Sequence, residues 1–217
     1  MFNSLLGMVL LVSSLAKPIA IGNPSVVLAS HSISLDNRYN NTFVNDVFRD
    51  NILLTLNYMA GTVKTKADIS WENIDKPATF ELRLEPGQRF AFHDQILPEY
   101  SKNVVSTTNA HFNYQDGFKS DGYLMGDGVC HLASIIYWVA KDAGLNTVSL
   151  VNHNFANIPE VPKEYGVSIY ALPGAFENSA RQNLYIENSL EKPVTIVFSY
   201  DRENLTISAT SSESHNL

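Results

Sequence analysis

Gly126-Asp127-Gly128-Val129-Cys130-His131-Leu132-Ala133-Ser134 holds the single cysteine of a 217-residue chain. Two glycines precede the cysteine and an apolar helical pattern follows it. Leu132, Ile135, Ile136, Val139 and Ala143 fall at i, i+3, i+4, i+7 and i+11, and Gly144 supplies a stop. A flexible turn therefore delivers one thiol to the first turn of a buried helix. Backbone N–H groups are unpaired there and the helix dipole favours negative charge. Both effects predict a lowered thiol pKa and a reactive thiolate. The alternative for a lone cysteine is a small buried hydrophobe.

Outward from this helix the pattern is mixed. Upstream, a helix capped by Thr42 or Asn45 runs to about Met59 and ends at Gly61, after a polar linker or extended arm at His31–Asn41. Ala78–Leu84 alternates as a strand with one wet face. Pro86-Gly87 turns it into a second strand, Gln88–Phe92. Residues 94–122 read as a long loop over the site. Downstream, Thr147–Val151 is a β-branched strand that delivers His153. Val167–Leu172, Asn183–Ile186, Val194–Tyr200 and Leu205–Thr210 complete a run of strands. The fold class is α+β, a Cys-bearing central helix packed on a mostly antiparallel sheet. Its chain order, Cys on a helix and His on the next strand, is distantly papain- or transglutaminase-like.

The charge balance, 15 basic against 22 acidic residues, gives a net −7 with no basic run, and argues against a nucleic-acid partner. Apolar residues make up 45% of the chain, enough for a sizeable core. Leu5–Ala16 is an apolar run too short for a bilayer span of about 20 residues, but suited to a signal-peptide core. Ser14-Leu15-Ala16 offers a small-residue cleavage site, although Met1–Ser4 carries no Lys or Arg. The expected division is a leader or anchor over 1–29, a helix and linker over 30–76, the main domain over 77–211 and a tail over 212–217. The expected location is extracytoplasmic, with membrane contact only through the N-terminal segment.

For chemistry, Cys130 is the candidate nucleophile and His153 the candidate base. Glu177 or Asn178, after the Pro173-Gly174 turn, are the candidates to orient the imidazole. Tyr123, Asp127 and His131 flank the cysteine as candidate substrate contacts, although His131 lies about 100° around the helix from Cys130. Asp116, Asp121 and Asp127 lack calcium-loop spacing. Cys130, His131 and His153 lack a fourth zinc ligand, so no metal or other cofactor is expected.

Several motifs resemble the VanW-like family. Pro86-Gly87-Gln88-Arg89-Phe90-Ala91-Phe92-His93 resembles its entry motif. Gly122-Tyr123 followed by Gly126 to Ser134 resembles its glycine-rich cysteine core. Ala140–Leu145, His153, Gly174–Ala180 and Asn188 match further positions in order, so the resemblance spans about residues 78–200. His131 stands where the family usually has Gln, and Ala175-Phe176-Glu177 replaces its Arg-Asp. The resemblance implies an exported or membrane-anchored protein of the cell envelope, named for accessory genes of glycopeptide-antibiotic resistance. Peptidoglycan or an envelope peptide is the implied partner. Three readings stay open: a cysteine-dependent amide hydrolase or acyl transferase, a non-catalytic binding or scaffold module with a structural Cys–His pair, and, against the incomplete ligand set, a metal-binding module.

Overall fold

A computed structural model describes residues 25–122, 125–172 and 174–212. The expected leader run therefore lies outside the described residues. The fold is α+β, built on two four-stranded sheets. The first has the order β1 (Ser25–Ser34), β8 (Asn204–Ser212), β7 (Val194–Tyr200), β2 (Ala78–Leu84), antiparallel throughout. The second has the order β4 (Val104–Ser106), β3 (Arg89–Ala91), β6 (Leu184–Glu187), β5 (Asn146–Ser149). It is antiparallel except for the β3–β4 pair.

Alternation sets the inner face of the first sheet. Phe80, Leu82 and Leu84 point inward from β2 while Thr79, Glu81 and Arg83 stay outside the core. Ile196 and Phe198 of β7 and Leu205, Ile207 and Ala209 of β8 extend the same apolar surface. The helix α3 (Val129–Asp142) lies against β1 and β8 of one sheet and β5 and β6 of the other. Its apolar stripe, with Leu132, Ile135, Ile136 and Val139 all buried, is what both sheets share. The helix α1 (Thr42–Met59) packs across α3 and also touches the short α2 (Trp71–Ile74).

Three expectations change. Residues 31–34 are not linker: β1 pairs with β8 along its length, buries Ile33 and packs Leu28 and Ala29 on the core. The strand thus runs through the expected boundary at residue 29. The cap of α1 is Asn41, whose side chain accepts from the N–H groups of Phe43 (3.0 Å) and Val44 (3.4 Å). Asn45 is buried instead and clasps the preceding loop, donating to Asp36 C=O and Tyr39 C=O. Val167–Leu172 is extended but joins no ladder. Its N–H groups alternate between α3 side chains and neighbouring loops, as described below.

The topology does not show a papain- or transglutaminase-like arrangement. His153 sits in the loop beyond β5, not on the sheet. No helix among the described residues is long and apolar enough to cross a membrane.

Candidate functional site

Three elements bring Cys130 to its place. Gly128 caps α3 in a left-handed conformation, φ 97°. A Cβ there would stand 2.6 Å from the Phe48 carbonyl oxygen, so only glycine lets α3 start this close to α1. Asn51 of α1, fully buried, donates to the carbonyls of Lys119 (3.0 Å) and Asp127 (2.8 Å) and accepts from Lys119 N–H (2.8 Å). This one amide pins both ends of the turn that precedes the cysteine. Nothing in the reading of the motif pointed to it; the available signal was a polar residue on the apolar face of α1.

The third element is the extended segment 167–172. Val167 N–H donates to Ser134 Oγ (2.8 Å), and Ile169 N–H donates to Cys130 Sγ (3.4 Å). The thiol in turn donates to Ile169 C=O (3.8 Å). Ser168 and Tyr170 direct their N–H groups the other way, to Val151 C=O and Gln182 C=O. Cys130 and Ser134 are one helical turn apart on one face of α3. Together they replace the partner strand that 167–172 lacks.

Burial pushes the Cys130 thiol up to about 11, and the carboxyl of Asp127 adds to the rise. The acidified thiol expected from the helix start is therefore reversed. The segment 167–169 covers that first turn, and desolvation outweighs the exposed N–H groups. His153 does not compensate. Among the described residues, Cys130 Sγ bonds only to Ile169, while His153 Nδ1 donates to Ala156 C=O at 3.2 Å. That bond fixes the imidazole tautomer with a backbone carbonyl. Burial lowers the His153 pKa, so the ring is neutral.

The other candidates divide. Glu177, in α4 (Phe176–Arg181), is exposed and borders a separate depression with Asn178 and Arg181. The role expected for it, orienting the imidazole, belongs to Ala156 C=O because the loop after β5 folds back on itself. Tyr123 lies outside the described residues. Asp127 accepts from Asp121 N–H (3.0 Å), and burial raises its carboxyl to about 6. His131 is 4% exposed. Its ring stands 4.9 Å from that of Phe48 and 6.0 Å from that of His153, and its Nδ1 is buried without a hydrogen-bond partner. Burial holds its pKa well below the ordinary value, with Arg38 and His153 adding to the effect.

Asp127, Cys130, His131 and His153 share one cleft of about 360 Å³. Cys130, His131 and His153 all border it, so the angular offset on α3 does not separate His131 from the cysteine; the cleft wraps around the first turn. Tyr39 and Phe48 line it, as do residues 169–172. Phe155, Tyr170, Leu172 and Met125 are exposed apolar residues on its border. Among the described residues Asp127 is the one lining carboxylate, and neither Lys nor Arg lines the cleft. Among the described residues no group of three or more His, Cys, Asp or Glu is placed to hold a metal ion.

The model of the family described as VanW like protein matches residues 69–210. The chain belongs to the VanW-like family. The match opens before the expected boundary at residue 77. It leaves out β1 and α1, although Tyr39 and Phe48 line the cleft and Asn51 pins the turn that leads to Cys130. No curated protein and no solved structure matches the chain significantly.

Proposed function

We propose that this VanW-like domain is a non-catalytic binding module of the cell envelope. In this reading the cleft takes an envelope peptide, such as the peptide part of peptidoglycan, and Cys130 is a structural thiol. The apolar run near the N-terminus would export or anchor it. One observation carries the reading. The Cys130 thiol is engaged at once as donor and acceptor by Ile169, with a pKa raised to about 11 and no bond to His153. A nucleophile needs the opposite, a thiolate beside a base.

The test is the pH dependence of iodoacetamide labelling at Cys130 in the folded protein. A midpoint above that of a free thiol, about 8.5, is expected. A midpoint below it, or an acyl-enzyme adduct on Cys130 seen by mass spectrometry with peptidoglycan fragments, would overturn the reading. The competing reading is a thiol hydrolase or acyl transferase. It draws its support from Cys130 and His153 bordering one cleft at a helix start. It predicts turnover of those fragments that a Cys130→Ser protein lacks.

A further inference from the structure

The segment 167–172 presents its backbone to α3 in a regular series of rungs. Val167 N–H meets Ser134 and Ile169 N–H meets Cys130, one turn earlier in the helix. The next rung falls to Ala171. One further turn back, the chain has left the helix, and position 126 is a glycine with no side chain to offer. Ala171 N–H and C=O accordingly make no hydrogen bond among the described residues. By alternation along an extended chain they point to the same side as those of Ile169. Ala171 and Gly126 line the same cleft.

The side chains around this open rung have the pattern of a strand edge. Ile169 and Ala171 pack against the core, while Tyr170 and Leu172 are exposed. Phe155 and Met125 add exposed apolar surface on the cleft border. Among the described lining residues the one acidic or basic side chain besides the histidines is Asp127, and the buried Arg38 acts on His131 from outside the lining. Asp127 lines the cleft and Asp121 sits against it. His111, also in the lining, stands between Asp94 and Asp116, 3.3 Å and 3.2 Å away. A buried, unpartnered ring nitrogen, Nδ1 of His131, belongs to a residue lining the same cleft.

We propose that the cleft binds a short extended peptide carrying a positive charge, which fills the open rung by pairing its backbone with Ala171. The peptide C=O accepts from Ala171 N–H and its N–H donates to Ala171 C=O, continuing the series begun by Ser134 and Cys130. Its apolar side chains lie on Tyr170, Leu172 and Phe155, and its cation faces Asp127. This inference rests on the binding-module reading and specifies its ligand. A glycan is the alternative occupant, with hydroxyl and acetamido groups in place of a repeating backbone.

The test uses the folded full chain and four probes: acetyl-Leu-Lys-Leu-amide, the same peptide N-methylated at its lysine, acetyl-Leu-Leu-Leu-amide, and an N-acetylglucosamine tetramer. Titration calorimetry reads affinity, and amide exchange by NMR reads Ala171. Expected are binding of the first peptide with slowed exchange at Ala171, and about tenfold weaker binding of the N-methylated one, the loss of about one backbone hydrogen bond. Asp127→Asn is expected to weaken the lysine peptide several-fold and to leave acetyl-Leu-Leu-Leu-amide unchanged. Equal affinity for the methylated peptide, no binding of either peptide, or protection of Ala171 by the glycan alone would overturn the proposal. Cleavage of the peptide by the wild type would instead refute the binding-module reading while leaving the rung in place.

Discussion

Cys130→Ala isolates the structural role of the thiol. The substitution removes the sulfur and leaves Ile169 N–H and C=O without their partner. An apolar group about the size of a methylene is worth about 0.8 kcal/mol when buried. An unpaired backbone N–H costs about 1–3 kcal/mol, and the half-buried setting of Ile169 places it near the lower end. The sum is about 2 kcal/mol, or about 4–8 °C in Tm for a chain of this size. Cys130→Ser keeps a donor and an acceptor but shortens the side chain, so about half of that loss is expected. Urea unfolding with an unchanged m-value measures the change, and amide exchange at Ile169 locates it. If the alanine protein is as stable as the wild type and Ile169 stays protected, the thiol is not the clasp described here, and the catalytic reading regains its ground.

Gly128→Ala should cost about 3 kcal/mol or more, because a left-handed φ of 97° adds to a 2.6 Å approach to the Phe48 carbonyl. Gly144→Ala is its control, with φ 79° and open space around the added Cβ, so a loss of about 1 kcal/mol is expected there; equal losses at both would refute the close contact. His131 stays neutral in the fold, so the wild type should lose stability as pH falls below about 6.5, where the unfolded chain takes up the proton. His131→Gln, which restores the residue usual in the family, should flatten that limb in urea titrations across pH; an unchanged limb would assign it to other groups. Asp127 acts in the opposite sense. Its folded pKa is raised from 3.8 to about 6, so its stabilisation is complete below about pH 4 and is lost as pH rises through about 6. With its partial exposure discounted, Asp127→Asn should be more stable than the wild type by about 1 kcal/mol at pH 8, and no gain would refute the burial argument.

Periodicity reported what periodicity can. The apolar stripe of α3 and the alternation of β2 were legible because each is a local pattern facing a single core. β1 was not, since it buries only Ile33 fully and looks polar from His31 onward; its partner, β8, lies at the far end of the chain. The segment 167–172 reads as a strand from its side chains, and they do alternate. What a sequence does not show is that the partners of its N–H groups are side chains of a helix. The site failed in the same direction. The glycine-flanked helix start was visible, but its predicted effect on the thiol was inverted by a covering segment 39 residues away in sequence. Glu177 was chosen for its place in chain order after the Pro173-Gly174 turn, which does not bring it to His153, and the carbonyl that holds His153 leaves no trace in the sequence.

The identity of residue 130 follows from a mismatch of spacings. Four residues of α-helix advance about 6 Å, whereas two residues of extended chain advance about 6.6–6.8 Å. Side chains at 134 and 130 that meet the N–H groups of 167 and 169 must therefore differ in reach. Ser134 Oγ closes its rung at 2.8 Å and is itself held by a bond to Cys130 C=O. The second rung is longer, and sulfur closes it at 3.4 Å, within the range of its larger radius. A serine at 130 would fall short of that rung by a few tenths of an ångström, since a C–O bond is shorter than a C–S bond. At the third rung α3 has already ended, and position 126, at φ 81° beside Phe112, has no side chain to reach across. Helix and extended segment thus part there, and the gap between them is the cleft that leaves Ala171 open to a ligand backbone.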